Sequence, residues 1–326
     1  MSYMMRFDLR APSGGPKPAE LYAAAVDMAE WAESHGGMAI ALSEHHASPD
    51  GYLPSPLVMA AAMATRTTTM PMIIAASLFL FSDPVRLAED IAVLDHVSNG
   101  RVSYVLGLGY RPEEFAMFGL DMAKRGALAD THIEVLLQAL SGEPFEHDGR
   151  KIHVTPAPLT PGGPSIAYGG GTAAAASRAG RYGLGFFAQS NGPELEPAYR
   201  AAAEAAGHTP GACTLADPAA PATVFVADDV DAAWDELGPY LMHDVLMYAA
   251  WNPGDSHTAS LSRATTADEL RAERASHQIF SIDEAVEHVR TAGYLPLHPL
   301  CGGLPPAIAW PYLERVASHV LPASAG

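Results

Sequence analysis

Short apolar runs alternate with alanine-rich segments along most of the chain, and this alternation is the feature that most constrains the fold. Each of eight runs has the length of a buried strand, and most are followed by apolar residues at helical spacing. The predicted strands cover residues 5–9, 38–42, 72–77, 101–107, 165–168, 184–187, 223–226 and 294–297. Eight strand–helix units in succession predict an α/β fold, specifically a (β/α)₈ TIM barrel with insertions.

An open, doubly wound sheet is the competing architecture. It usually carries a glycine fingerprint after its first strand, whereas the first strand here is followed by APSGGPKP. No segment rich in Gly, Ser or Pro divides the chain, so we predict a single domain spanning residues 1–326. Residues 234–278 show no clean period and are predicted to be an insertion that shapes the pocket mouth or forms a lid. Residues 145–154, with Asp-Gly at the turn, predict a β-hairpin.

Composition excludes several classes of protein. The formal net charge is −18, from 37 acidic and 19 basic residues, and there is no basic stripe for a nucleic acid. No apolar run is long enough to span a bilayer, and the N-terminus has no signal-peptide pattern. Two cysteines, Cys213 and Cys301, are too few for a disulfide framework. We therefore expect a cytoplasmic protein that binds neither membranes nor nucleic acids.

The second predicted strand ends directly before Glu44, His45 and His46. In a barrel, residues that follow the strands face the active site. Adjacent histidines on an extended backbone point to opposite sides, so they do not readily share an ion, and we predict no metal site. A histidine with an ordinary pKa near neutrality suits acid–base chemistry or hydrogen bonding. The alternative is that one of the two packs against the core or caps the following loop.

A glycine-rich turn, Gly169 to Thr172, follows the fifth predicted strand and precedes a helix. Its glycines would let backbone amides approach a ligand, and a helix N-terminus favours an anion, so the turn resembles a phosphate cradle. A tight connection without a ligand is equally compatible with the sequence. Arg178 and Arg181 lie further along the helix and are expected to form surface ion pairs.

The segment GLGYRPEEF, residues 107–115, follows the fourth predicted strand. Its small residues would leave room for a flat ligand, with Arg111 and Glu114 as polar groups at the rim. The alternative for Arg111 and Glu114 is a local ion pair at the start of a helix.

Four segments together resemble the bacterial luciferase-like monooxygenase superfamily of flavin- and deazaflavin-dependent enzymes, whose fold is a TIM barrel. They are SEHHASPDGYLPSPLVMAAA, DPVRLAEDIAVLDHVSNGR, GYRPEEFAMFG and GGGTAAAASRAGRYG. The resemblance implies that His45 lies near the reactive edge of the flavin and assists proton transfer, with Glu44 as an accompanying carboxylate. It also implies a cofactor site formed by Ala75, Ala76, Gly107, Gly109, Tyr110, Arg111, Gly170, Gly171 and Thr172.

Within that site, Ala75–Ala76 matches a non-prolyl cis peptide under the isoalloxazine ring, and the glycine-rich turn matches the phosphate end. The sequence departs from the luciferases on the fourth strand, where Gly107 and Leu108 replace a cysteine and a phosphate-binding arginine. The anion contact would then come from elsewhere, either Arg111 or backbone amides.

The resemblance implies the oxygenase component of a two-component system. A separate flavin reductase would supply reduced FMN, which would react with O₂ to give a flavin C4a-hydroperoxide that oxidises a small organic substrate. Two alternatives stay open at this point: hydride transfer with a deazaflavin (coenzyme F-420), and a barrel that binds flavin without turnover. The resemblance also implies a homodimer, for which residues 54–67 and 84–98 are candidate interface helices.

Overall fold

The computed structural model describes residues 2–255 and 258–324, and within them it contains twelve strands. The strands are β1 (Ser2–Phe7), β2 (Gly37–Leu42), β3 (Met72–Ser77), β4 (Val102–Leu106), β5 (Phe145–His147), β6 (Arg150–Ile152), β7 (Ile166–Gly170), β8 (Gly185–Ala188), β9 (Cys213–Thr214), β10 (Thr223–Val226), β11 (His277–Phe280) and β12 (Tyr294–Leu297). All eight predicted strands are present, with ends that differ by at most three residues.

The same residues form twelve α-helices, most of which connect one strand to the next. They are α1 (Pro18–Ser34), α2 (Pro56–Ala64), α3 (Pro84–Ser98), α4 (Pro112–Met117), α5 (Arg125–Leu140), α6 (Ala173–Arg181), α7 (Leu195–Ala205), α8 (Val230–Trp251), α9 (Ala267–Glu273), α10 (Ile282–Ala292), α11 (Pro306–Arg315) and α12 (Leu321–Ser324). Short 3₁₀ turns lie at Phe79–Phe81, Met122–Lys124 and Cys301–Gly303, and a π-helical turn at Val316–Val320 joins α11 to α12.

Ten strands form one parallel sheet in the order β11-β10-β12-β1-β2-β3-β4-β7-β8-β9. The first strand pairs with the last, Met5 opposite Leu297, as barrel closure requires. Strands β5 and β6 form the predicted antiparallel hairpin outside this sheet. The barrel prediction is therefore confirmed, with two strands, β9 and β11, that were not foreseen.

The region predicted as an insertion is largely regular structure. Most of α8 lies in it, and β11 at its end pairs with β10 along four residues. The helical period was hard to recognise because Gly238 and Pro239 lie inside α8 and Leu246 is 47% exposed. Regular structure there places the last turn of α8, rather than an irregular loop, beside the candidate site.

Local sequence signals explain why helices begin where they do. The Asp83 carboxylate accepts hydrogen bonds from the amides of Val85 and Arg86 (2.9 and 3.2 Å), and Pro84 occupies the first position of α3. Ser281 and Glu284 form a capping box at the start of α10. These caps hold the helices against the sheet, so that the carboxyl ends of the parallel strands share one end of the barrel.

Candidate functional site

His45 lies at the carboxyl end of β2 with 6% of its surface exposed. Its Nδ1 atom is 2.8 Å from Oε1 of Glu114, and its Nε2 atom is 3.2 Å from the hydroxyl of Tyr110. A carboxylate only accepts hydrogen bonds, so Nδ1 of His45 carries the proton and donates to Glu114. The Nε2 lone pair is then free to accept a hydrogen bond from Tyr110. The side chains of Tyr110, His45 and Glu114 thus form one hydrogen-bonded chain.

Burial lowers the pKa of His45 below its ordinary value, and the charge of Arg111 lowers it further, while Glu114 acts in the opposite direction. Burial also raises the pKa of Tyr110, whereas a hydrogen bond with the side chain of Asn252 lowers it. Near neutral pH, His45 is therefore an uncharged imidazole and Tyr110 a protonated phenol. Such a pair can pass one proton at His45 Nε2.

Glu44, which the resemblance implied as an accompanying carboxylate, forms its side-chain hydrogen bond with His46. Its Oε1 atom is 3.0 Å from Nε2 of His46, and its Oε2 atom accepts from the Leu78 amide (2.9 Å) after β3. The carboxylate partner of His45 is Glu114, which is fully buried and also accepts from the His46 amide (2.9 Å). The two histidine rings face different neighbours, as their adjacency predicted.

Arg111 is 3% exposed and lies beside His45 instead of at the rim. Its Nη1 atom donates to the His46 carbonyl and lies 3.5 Å from Oε1 of Glu114. Its guanidinium carbon is 4.1 Å from the ring centroid of Trp251, at the end of α8. The local ion pair weighed for Arg111 and Glu114 is present, but both residues also support the backbone and ring of the histidine pair.

Four aromatic side chains surround the imidazole of His45. The ring centroids lie 4.9 Å away for Tyr52 and Trp251, 5.3 Å for Tyr110 and 6.4 Å for Tyr248. The hydroxyls of Tyr52 and Tyr248 share a hydrogen bond of 2.8 Å. The hydrogen-bonded chain of Tyr110, His45 and Glu114 is therefore enclosed by a largely aromatic chamber, which these four rings form around the imidazole.

A second buried network lies at the carboxyl end of β1, centred on Arg10. The fully buried guanidinium contacts three carboxylates: Asp8 (3.1 Å), Asp50 (2.6 Å) and Asp244 (3.2 Å). Burial opposes ionisation of Asp244, but a hydrogen bond from His277 and the charges of Arg6 and Arg10 hold its pKa well below the usual range. Nothing in the sequence indicated that Arg10 would meet Asp50 and Asp244.

Donor atoms of Asp244, His298 and Cys301 lie within 4.8 Å of one another, a spacing at which a metal ion can bind. The carboxylate of Asp244 already receives Arg10 (3.2 Å) and His277 (3.0 Å), and Nδ1 of His298 is 2.9 Å from Arg6. Two arginine charges beside these donors disfavour a cation, so we interpret the group as part of the ion-pair network.

Small residues line the ends of β3 and β4. The Ala75–Ala76 peptide bond is cis, and a Cβ atom on Gly107 would lie 2.8 Å from Cβ of Ala76. Gly109 has a φ of 75°, and its missing side chain leaves room for the rings of Phe81 and Phe115. These residues adjoin one another on neighbouring strands and present a surface with few side-chain atoms.

The glycine-rich turn joins β7 to α6. Thr172 caps α6, its hydroxyl accepting from the Ala175 amide (3.2 Å), and Gly170 has a φ of 154°, with its α-carbon close against Ala175. The first-turn amides that the cap does not satisfy can bind an anion. Arg178 and Arg181 both pair with Asp130 (2.8 and 2.6 Å), as expected, and are not available to that turn.

The sequence thus identified His45, Tyr110, Arg111 and Glu114 separately, and the structure brings them together. It did not reveal Tyr52, Tyr248, Asp50, Asp244 or His277 as neighbours of the site. Tyr52 follows the Glu-His-His segment at seven residues from His45, which is a signal for the same loop. Tyr248, Asp244 and His277 fall in the region that showed no period, so nothing in the sequence placed them.

A barrel with a buried histidine chain at its carboxyl mouth defines a class of α/β-barrel enzymes, and comparison with known proteins identifies the family. The family model described as luciferase-like monooxygenase matches residues 2–293. The chain belongs to the luciferase-like monooxygenase family. Membership of this family supports the prediction from sequence that the protein is an oxidoreductase enzyme.

Among curated proteins, the chain is 29% identical over 164 residues to the alkanal monooxygenase alpha chain of Photorhabdus luminescens. The matched stretch covers 49% of this chain and 46% of that one. It is 32% identical over 145 residues to the uncharacterized protein y4wF of Sinorhizobium fredii, covering 44% and 42%. The chain thus spans less than half the length of these curated relatives.

Solved structures share the fold over almost the entire chain. The monooxygenase RslO1 of Streptomyces bottropensis superimposes with a TM-score of 0.77 at 23% identity, covering 99% of both chains. The oxygenating constituent of 3,6-diketocamphane monooxygenase of Pseudomonas putida, in complex with FMN, gives 0.69 at 20% identity, covering 99% and 98%. A secondary alcohol dehydrogenase dependent on the deazaflavin coenzyme F-420 gives 0.68 at 15% identity, covering 99% and 98%.

Among residues 2–255 and 258–324, no helix combines the length and apolar character needed to cross a bilayer.

Proposed function

We propose that this protein is the oxygenase component of a two-component flavin system, which uses reduced FMN and O₂ to oxidise a small organic substrate. The observation that carries the proposal is the buried chain of Tyr110, His45 and Glu114 at the barrel mouth. With its proton held on Nδ1, the uncharged imidazole presents the Nε2 lone pair and can accept a proton there, and the Glu114 carboxylate stabilises the imidazolium that forms.

The residues at the mouth fit a flavin at both ends. The ring would lie on the surface formed by Ala75, Ala76 and Gly107, where Gly107 lets the ends of β3 and β4 pack closely and present few side-chain atoms. The phosphate would bind the first-turn amides of α6 beside Gly170, Gly171 and Thr172. Backbone amides would then supply the anion contact, because the guanidinium of Arg111 is engaged by His46, Glu114 and Trp251.

Reduced FMN would supply the reaction with O₂, and the protein would bind it, orient it and exclude water. Tyr110 would hold the proton on the Nε2 side of His45, while Glu114 holds the Nδ1 proton and fixes the ring. Gly109 would let the loop after β4 turn tightly enough to aim Tyr110 at the imidazole, and Glu44 would orient His46 next to it. We assign the acid–base role to His45 and positioning roles to Glu114 and Glu44.

A deazaflavin is the second candidate cofactor, because the fold also matches the secondary alcohol dehydrogenase dependent on coenzyme F-420. In that case His45 Nε2 would handle the proton that accompanies hydride transfer to or from an alcohol. The small-residue surface and the α6 N-terminus would serve a deazaflavin in the same way.

The test is to load the full chain separately with FMN and with the deazaflavin, and to measure affinity by the change in absorbance of each cofactor. The FMN-loaded protein is then reduced anaerobically, mixed with O₂, and oxygen consumption is followed with and without candidate substrates. Micromolar FMN binding with substrate-dependent oxygen uptake supports the proposal. Tight binding of the deazaflavin alone would assign the protein to the second candidate.

We further propose that a separate flavin reductase in the cytoplasm supplies the reduced FMN by diffusion. A stopped-flow mixture of a reductase with this protein should transfer reduced FMN without forming a stable complex, and catalase should not abolish product formation.

A further inference from the structure

The last turn of α8 fills the chamber next to His45. The indole of Trp251 packs 4.9 Å from the His45 ring, 5.5 Å from the Tyr248 ring and 5.9 Å from the Tyr52 ring. Its neighbours are thus largely the side chains that surround the candidate acid–base group. A ligand ring that contacts His45 on this side would have to take the place of the indole.

Two arginines lie over this same indole. The guanidinium carbon of Arg10 is 4.6 Å from the Trp251 ring centroid, and that of Arg111 is 4.1 Å from it. Both guanidiniums are buried, and both are within the distance at which a cation is attracted to the face of an aromatic ring. The space that Trp251 occupies is therefore suited to a flat π-system.

Each of these two arginines also has one nitrogen without a hydrogen-bond partner. Nη2 of Arg10 and Nε of Arg111 are buried and have no hydrogen-bond partner among the described residues. An indole cannot serve them, because its only polar atom is a donor. A ring that carries an oxygen atom would keep the π-contacts and add the acceptor that both N–H groups lack.

The charges around Arg10 and Arg111 indicate that the ligand ring is neutral. Three carboxylates lie within 3.2 Å of Arg10, and Glu114 lies 3.5 Å from Arg111. The positive charge of both arginines is thus already balanced, and a carboxylate or phosphate ligand would be repelled by the same groups. A phenol-type oxygen needs no counter-charge and can accept from an arginine N–H group.

We propose that the substrate is a neutral, flat aromatic compound bearing an oxygen substituent, and that it takes the place of the Trp251 indole beside His45. The inference rests on the proposed function for the statement that this ligand is the substrate. The binding claim stands on the chamber alone. Trp251 closes the site in this structure and must leave it before the aromatic compound binds.

The experiment measures binding of naphthol to the full chain by equilibrium dialysis, with decalol, its saturated counterpart, as the matched ligand. If the Trp251 indole occupies the site most of the time, the apparent affinity for naphthol is reduced in proportion to the fraction of protein in which the site is open. Trp251→Ala should therefore tighten naphthol binding about tenfold or more. Decalol lacks the π-face and should bind both proteins at least about tenfold more weakly than naphthol binds Trp251→Ala. Trp310→Ala, which removes an indole packed edge-on against Trp31, is the control and should leave naphthol binding unchanged.

A second readout uses the unaltered protein, so the result does not depend on whether Trp251→Ala folds. Naphthol should make one tryptophan more accessible to acrylamide quenching, and this change should be missing in Trp251→Phe. Equal binding of naphthol and decalol to Trp251→Ala, or no change in quenching when naphthol binds the unaltered protein, would overturn the proposal.

The same titration in FMN-loaded protein separates a substrate site from the site of the cofactor ring. Naphthol binding without loss of FMN supports the substrate assignment, whereas competitive displacement of FMN would overturn it. If FMN does not bind at all while naphthol still displaces Trp251, the proposed function fails and the aromatic site stands.

Discussion

Glu114 illustrates how one atom can organise a site. Its Oε1 atom accepts from both the Nδ1 side of His45 and the amide of His46, and Arg111 lies 3.5 Å away. The carboxylate therefore fixes the imidazole ring and the backbone that carries it. The sequence identified the residue but assigned it to the rim, because spacing on a helix reveals its near neighbours and not a contact 69 residues distant.

Replacement of Glu114 by glutamine should lower the rate of substrate oxidation roughly 10²-fold, since an amide no longer holds the His45 proton on Nδ1 by charge. FMN affinity should change little, because Glu114 does not lie on the proposed ring or phosphate surface. Single-turnover oxidation with preloaded reduced FMN measures the rate, and FMN titration measures affinity. Glu113→Gln, at the exposed neighbouring position, is the control and should behave as wild type.

The lowered pKa of His45 predicts the position of the acid limb in the pH profile. The folded protein holds the imidazole neutral below the ordinary value of 6.5, so the rate should persist as pH falls through 6.5 and decline only at lower pH. In the unfolded chain the group protonates near 6.5, so its contribution to stability is present above 6.5 and is lost as pH falls towards the folded pKa. A rate profile with its midpoint at or above 6.5, or an NMR titration of His45 in that range, would contradict this.

At the scale of elements, two helix caps allow an effect on stability to be separated from an effect on ligand binding. Thr172 and Asp83 cap α6 and α3 in the same way, but only α6 starts at the glycine-rich turn. Thr172→Ala should lower the free energy of unfolding by about 1 kcal/mol and also weaken FMN binding, because the first turn that binds the phosphate loses its cap. Asp83→Ala should cost a similar free energy of unfolding and leave FMN affinity unchanged.

Chemical denaturation and FMN titration of both variants measure the two effects. A Thr172→Ala variant that loses stability but binds FMN as tightly as wild type would place the phosphate elsewhere.

Elements with strong local signals were predictable from sequence, and those held by tertiary contacts were not. The predicted bounds of β3, β10 and β12 agree with the structure, because short apolar runs and flanking turns mark them. β9 has only two residues and exists because it pairs with β8. The position of β11 beside β10 is likewise a property of pairing, which one-dimensional spacing does not carry.

At the scale of the whole molecule, exposed apolar side chains on α2 and α3 form the candidate surface for dimerisation. Val58 is 72% exposed, and Val93 and Val97 are 51% and 44% exposed, on helices that pack side by side. Such neighbouring apolar side chains favour association, and we propose that two copies of the chain meet there.

Val58→Asp with Val93→Asp should convert the dimer to a monomer, because two carboxylates would have to be buried without partners. Light scattering coupled to size exclusion measures the mass. Leu159→Asp, exposed outside both helices, is the control and should remain dimeric. A wild-type mass equal to one chain would reject the interface.

The pairing of β1 with β12 sets the order in which this protein is able to fold. During synthesis β1 leaves the ribosome long before its partner, and Arg10 emerges long before Asp244, the last of its three carboxylate partners. The nascent chain therefore carries an unpaired strand edge and an incomplete ion network until its last quarter is made. Completion of the ion network and closure of the barrel are consequently late events, so a chain truncated before Asp244 should lack both.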